Sequence, residues 1–189
     1  MLRLTGGEFR GRLIQAPDNN KTRPTQAKLR QALFNSIQMQ VPEARVLDLF
    51  AGSGSLGFEA LSRGAEKVVF AENSRGALKL LEKNIAILGV EDRVEIISEP
   101  LLTSGAIARI AEFAPFQVIL ADPPYSDGWE MKLLETVPWE TWLSPDGLFC
   151  VEWGTQKSQV DLLPERVPFL VKTREKVYGD SVLTTFTRE

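Results

Sequence analysis

An acid, two prolines and an aromatic residue follow one another at Asp122-Pro123-Pro124-Tyr125, directly after the apolar run Ile119-Leu120-Ala121. Successive prolines fix φ at roughly −65° and donate no N–H, so the backbone is stiff there and its carbonyls are held outward. In an open α/β sheet such a turn lies beyond the carboxyl end of a strand, where ligands bind. The Asp122 carboxylate and the Pro123 carbonyl then offer two acceptors for the two N–H groups of a planar exocyclic amine. Tyr125 offers a face on which a flipped base can stack. The lone pair of such an amine is delocalised into its ring, and two acceptors turn it toward an electrophile. A sulfonium methyl group arrives already activated, so positioning and electrostatics supply most of the rate. The competing reading is a rigid loop in which Asp122 caps the next helix.

A second constellation supplies a place for the donor. Val46-Leu47-Asp48-Leu49-Phe50-Ala51-Gly52-Ser53-Gly54-Ser55-Leu56-Gly57 reads as strand, loop and helix, and Gly52, Gly54 and Gly57 satisfy G-x-G-x-x-G. Glycines admit a cofactor close to the backbone, and the helix N-terminus supplies amide donors. Asp48 separates two cofactor classes. A pyrophosphate has little use for a carboxylate four residues before the first glycine, whereas the α-ammonium of S-adenosylmethionine can bind one, directly or through water. Glu72 ends the next strand and suits the ribose hydroxyls of either cofactor. Ser53 and Ser55 read as acceptors for helix N-terminal amides rather than as nucleophiles.

The chain has no histidine among its 189 residues, which removes the commonest general base and metal ligand. A methylated amine loses its proton without a strong base, so this chemistry tolerates the lack. The single Cys150 excludes an intrachain disulfide and a multi-cysteine zinc site, and it reads as a small core residue. No metal is expected. No apolar run approaches a membrane span, and Met1 to Gly7 does not resemble a signal peptide, so the expected setting is cytoplasmic. The net charge is −3, but residues 1–45 hold eight Lys/Arg against Glu8, Asp18 and Glu43, a net of +5. A basic arm on an acidic body suits an enzyme that grips a polyanion at one end.

The elements that must position these groups follow from periodicity. A hairpin is expected over 2–16, then a polar loop 17–24 and a helix from an N-cap at Thr25 to about Met39. From Arg45 strands and helices alternate: strands over 45–50, 67–71, 94–97, 117–121 and 148–153, with Ser74 capping the helix that ends near Gly89. Continuous apolar strands separated by helices indicate a parallel sheet covered on both faces. Residues 169–177 and 182–187 read as an antiparallel hairpin at one edge. The expected domains are a basic hairpin-helix extension, 1–44, and a catalytic α/β domain, 45–189. Trp129, Trp139 and Trp142 follow the proline turn and read first as packing residues, second as part of an RNA-facing wall.

Taken together, the residues resemble a known family, the bacterial 16S rRNA guanine-N2 methyltransferases of the RsmD type. The resemblance rests on Gly6-Gly7 with Arg10-Gly11-Arg12, Arg23-Pro24-Thr25, Arg30 and Ala32-Leu33-Phe34-Asn35. It continues through Leu47–Gly54, Glu59-Ala60-Leu61-Ser62-Arg63-Gly64, Asp122–Tyr125 and Tyr178-Gly179. It implies a Rossmann-like, seven-stranded class I methyltransferase sheet, mostly parallel with an antiparallel C-terminal strand. It also implies S-adenosylmethionine as donor, with S-adenosylhomocysteine as product, and a guanine of 16S rRNA as acceptor, in a partly or fully assembled small subunit. Cofactor contacts are then expected from Asp48, Phe50, Ala51, Gly52, Ser53, Gly54, Glu72, Asn73, Glu99, Pro100 and Asp122, and base contacts from Asp122, Pro123, Pro124 and Tyr125. RNA contacts are expected from Arg10, Arg12, Arg23, Thr25, Lys28 and Arg30. The sequence departs from the family at Ser98-Glu99-Pro100, where an Asp or Asn followed by Ala usually reaches the adenine, and at Ala27 and Gln31, which stand where acids are usual.

Three alternatives stay open at this point. The same chemistry could act on adenine-N6 in DNA or RNA, or on a protein amide. The glycine loop could serve an NAD-dependent oxidoreductase, or the chain could be a non-catalytic RNA-binding relative. A monomer is expected.

Overall fold

The computed structural model describes residues 1–17, 24–125, 127–154 and 163–189, and of Pro24 and Thr25 the backbone alone. Two short strands, β1 (Leu2–Arg3) and β2 (Leu13–Ile14), pair antiparallel at the N-terminus. Helix α1 spans Pro24–Ser36. Thr25 therefore lies inside the helix rather than capping it, and Pro24 stands in the first turn, where a missing N–H costs nothing.

The body is one eight-stranded sheet. Its strands are β3 (Arg45–Leu49), β4 (Lys67–Ala71), β5 (Val94–Ile97), β6 (Phe116–Ala121), β7 (Leu143–Gly154), β8 (Arg166–Val167), β9 (Leu170–Tyr178) and β10 (Ser181–Arg188). Their order is β5-β4-β3-β6-β7-β10-β9-β8. The first five are parallel, and β10, β9 and β8 join antiparallel. This is the expected mostly parallel sheet with one strand more. The extra β8 has only two residues, too few for any period to register.

Helices α2 (Ser55–Ser62), α3 (Arg75–Leu88), α4 (Ser104–Ala111), α5 (Trp129–Thr136) and α6 (Trp139–Trp142) cover the sheet. Two apolar clusters lie on its opposite faces. One joins Val46, Val68, Val118 and Leu120 with Leu61 and Leu81, and it takes in Leu4, Ile14, Phe34 and Ile37 from the N-terminal segment. The other gathers Leu47, Leu49, Ile119, Phe149 and Phe186 against Trp139 and Trp142. Both of these tryptophans are buried, as expected of packing residues. None of the described helices is long and apolar enough to cross a membrane.

A buried charge ties the N-terminal segment to the sheet. Glu59 on α2 is fully buried and accepts from the Thr5 amide (2.9 Å), the Thr5 hydroxyl (2.7 Å), Arg63 Nε (2.8 Å) and Arg30 Nε (3.4 Å). Burial pushes its carboxyl up, but the bonds from Thr5 and Arg63 and the nearby Arg30 charge outweigh it, and the net shift is downward. Arg30 also donates to the Arg3 carbonyl at 2.8 Å.

Candidate active site

Reversal of the strand order between β3 and β6 opens a crevice at the carboxyl edge of the sheet. A cavity of about 840 Å³ lies there. Its floor is the loops after β3, β4 and β6, and the N-terminal segment walls it with Leu2, Ala16, Leu29 and Leu33. That size suits a cofactor together with part of an acceptor.

The glycine loop is shaped by two carboxylates. Gly52 and Gly54 have φ of 56° and 82°, the left-handed region that favours glycine. The Gly52 amide donates to Glu72 Oε2 (2.8 Å) and the Ser74 amide to Glu72 Oε1 (2.7 Å), so Glu72 joins the loops after β3 and β4. A carboxylate has about four lone-pair sites, so two remain for hydroxyl groups in the cavity. Asp48 Oδ2 accepts from the Gly57 amide at 2.8 Å. It thereby satisfies an orphan N–H in the first turn of α2, the task expected of Ser53 or Ser55. Neither serine does this, because Gly54 is the cap residue and makes no side-chain bond. Ser74 likewise makes no side-chain cap.

Asp48 is buried beneath the loop rather than on the cavity wall. Burial, followed by the nearby Glu72 charge, raises its carboxyl to about 7, against the Gly57 bond. A cation in the cavity would relieve that strain. S-adenosylmethionine carries an ammonium and a sulfonium, so the donor set fits this group.

The proline turn stands where the sequence places it. Asp122, Pro123, Pro124 and Tyr125 all line the cavity, next to Ala121 at the end of β6. Asp122 does not cap the following helix, since α5 begins after Gly128 without a side-chain cap bond. Enclosure by the protein, then Glu152 and Asp48, raise the Asp122 carboxyl to about 8. The side chain nevertheless opens to the crevice, and water there screens part of the effect. Tyr125 packs its ring against Gly154, where an added Cβ would lie 2.8 Å from Cδ2. Its hydroxyl donates to Glu152 Oε1 at 2.5 Å and lies 3.1 Å from Ser181 Oγ.

Of the expected cofactor residues, Phe50, Ala51, Gly52, Ser53, Glu72, Asn73 and Asp122 line the cavity. Gly54 lies beneath, buried against Phe58 and Leu81. Glu99 and Pro100 do not reach the cavity wall, and the Glu99 chain runs toward Gly105 at the start of α4. Of the expected RNA residues, Arg10, Arg12 and Lys28 are exposed, and Arg12 lies 5.6 Å over the Phe9 ring. Arg30 borders the cavity but is buried and committed to Glu59 and Arg3, so its guanidinium is withdrawn from solvent. Arg23 lies outside the described residues, and so does the Thr25 side chain.

Among the lining residues the sequence reading missed Glu152, and it placed Trp129 at an RNA-facing wall only as a second choice. Glu152 lies within the expected strand 148–153 and was not singled out, although an acid inside an apolar strand, as at Asp48, is itself a signal. Trp129, its ring 4.9 Å from Phe50, read as packing. Its exposure to the cavity depends on where α5 docks. Among the described residues no group of acids and Cys150 could hold a metal ion.

The family described as conserved hypothetical protein 95 matches residues 2–187. Ribosomal RNA small subunit methyltransferase D of Escherichia coli K12 is 32% identical over 189 residues, covering 100% of this chain and 90% of its own length. The Haemophilus influenzae protein of the same name is 32% identical over 179 residues, covering 94% and 89%. The solved structure of Escherichia coli yhhF superimposes with a TM-score of 0.82 at 31% identity, covering 100% of this chain and 98% of that one.

Proposed function

This chain belongs to the conserved hypothetical protein 95 family, and from that membership we propose that it transfers a methyl group from S-adenosylmethionine to the exocyclic N2 of a guanine in small-subunit ribosomal RNA. The observation that carries the reading is the Asp122–Tyr125 turn standing in one cavity with Glu72 and the glycine loop. S-adenosylmethionine supplies an electrophilic methyl group on a sulfonium. Every other part of the reaction falls to the protein. Glu72 and the loop amides orient the donor, and the buried Asp48 charge favours its ammonium end. Asp122 and the Pro123 carbonyl accept the two N–H groups of the guanine amine and aim its lone pair. Tyr125, held by Glu152, sets the plane of the base.

The substrate side rests on the names carried by the relatives and on the N-terminal arm, where Arg10, Arg12 and Lys28 present exposed charge to a phosphate backbone. Segment 1–44 is in this reading the RNA-contacting extension and 45–189 the methyltransferase domain, acting as a monomer in the cytoplasm on a partly or fully assembled subunit. The test is mass spectrometry of nucleosides after incubation of the protein with labelled S-adenosylmethionine and small ribosomal subunits lacking their guanine-N2 methyl groups. The expected product is N2-methylguanosine at one position. Incorporation into DNA or protein, with none into those subunits, would overturn the proposal.

A further inference from the structure

Four acids occur at or just past the carboxyl ends of four adjacent strands. In sheet order they are Glu72 after β4, Asp48 in β3, Asp122 after β6 and Glu152 in β7. The first two shape the glycine loop. Glu152 lies on the other flank of Asp122. Ala121 pairs with Val151, so Asp122 and Glu152 are each the next residue along on neighbouring parallel strands. Both side chains line the cavity. With the donor on the β3–β4 side of Asp122, the acceptor base must come in over β7.

We propose that Glu152 is the specificity-determining residue that selects guanine: its carboxylate accepts the N1–H of the acceptor base, while Asp122 and Pro123 hold the N2 amine. This rests on the guanine-N2 reading above. The chemistry follows from the edge of the base. In guanine N1–H lies beside the N2 amine and points the same way, so a site that buries the amine must offer a third acceptor or leave a desolvated donor. Adenine carries a lone pair at N1, which a carboxylate repels. The Tyr125 hydroxyl fixes one oxygen of Glu152; burial pushes its carboxyl up, and the bonds from Tyr125 and Ser181 work against that and favour the ionised form. One side chain thus fixes the stacking ring and reads the base edge together. On its face of β7 Glu152 follows Leu148 and Cys150, which belong to one apolar cluster, while Val151 and Trp153 belong to the cluster on the opposite face, so Glu152 is the acid at the end of an otherwise apolar row, where the strand meets the cavity.

The test uses the base 2-aminopurine, which keeps the N2 amine but has a lone pair at N1. Once the acceptor position is mapped, guanine or 2-aminopurine is ligated into small-subunit rRNA there, and subunits are reconstituted. The native protein should prefer guanine in kcat/KM by on the order of 10- to 100-fold. In Glu152→Gln the amide can donate to that lone pair, and the preference should fall at least tenfold. Glu152→Asp, which keeps the charge on a shorter chain, should retain the preference with a raised KM. An unchanged preference in Glu152→Gln overturns the proposal. Loss of transfer to both acceptors, with S-adenosylmethionine affinity intact, overturns it too, because Glu152 would then act only through Tyr125, on which either base stacks, and not as a reader of N1–H. Failure of the guanine reading itself gives a different result, no N2-methylguanosine from the native protein, and this inference falls with it.

Discussion

At the scale of single residues, carboxylates with opposite environments divide the work. Asp122 opens to the crevice and Glu59 is sealed in the core, and their substitutions should fail differently. In the proposed mechanism Asp122→Ala removes only an acceptor on the base side. Transfer should be abolished while S-adenosylmethionine affinity, measured by calorimetry, stays within about tenfold. Retained turnover would make Asp122 structural. Glu59→Gln should instead cost about 3–5 kcal/mol in urea unfolding, because it leaves the Arg30 charge buried without its partner. A loss below about 1 kcal/mol would mean that water reaches Arg30 in the variant and solvates it. Asp122 was legible in the sequence because two prolines announce the turn. The Glu59 role was not, since its partners Thr5 and Arg30 lie 54 and 29 residues away.

At the scale of elements, helix α2 must lie flat on β4 for the loop before it to present its amides. Gly57 makes this possible. A Cβ there would lie 2.2 Å from Phe70 Cε1 and 2.8 Å from Val68 Cγ1. Gly57→Ala should therefore push α2 outward and lengthen the Gly57–Asp48 bond. The expected outcome is a loss of about 1–3 kcal/mol in stability together with weaker S-adenosylmethionine binding. Unchanged binding would mean that the loop is held by Glu72 alone. The strand from 67 to 71 was readable to the residue because a parallel strand buried on both faces is a nearly continuous apolar run, and the half-buried edge strand from 94 to 97 because its β-branched residues stand between a glycine-ended helix and a proline. Helices α5 and α6 were not, since each is short and the tryptophans that define them suit several structures.

At the scale of the whole molecule, charge couples folding, cofactor and pH. Asp48 and Asp122 ionise near about 7 and 8 in the fold, and at roughly 3.9 in an unfolded chain. Between those values the folded protein holds protons that the unfolded chain has lost, so these groups make stability fall as pH rises from about 4 through 8. Glu59 has the opposite sign: its contribution is present above the unfolded carboxyl value and is lost as pH falls through its lowered one. The ligand-free protein should thus melt lower at about pH 8 than at about pH 5.5, and S-adenosylmethionine should raise Tm more at the higher pH. S-adenosylhomocysteine, without the sulfonium charge, should do so less, and equal shifts at both pH values would remove Asp48 and Asp122 from this account. On the RNA side, Arg10→Ala or Arg12→Ala should each reduce the slope of log K against log salt by about 0.7 to 1, and no change in slope would place the RNA elsewhere. The sequence by itself determined the sheet, the glycine loop and the proline turn, because glycines, prolines and apolar runs act through local backbone geometry. Tertiary structure alone decided that Arg30 is withdrawn into the core, that Asp48 supports the loop from below, and that Glu152 stands beside Asp122. Those placements depend on which distant elements share a cavity or a buried charge, and no spacing along the chain encodes that.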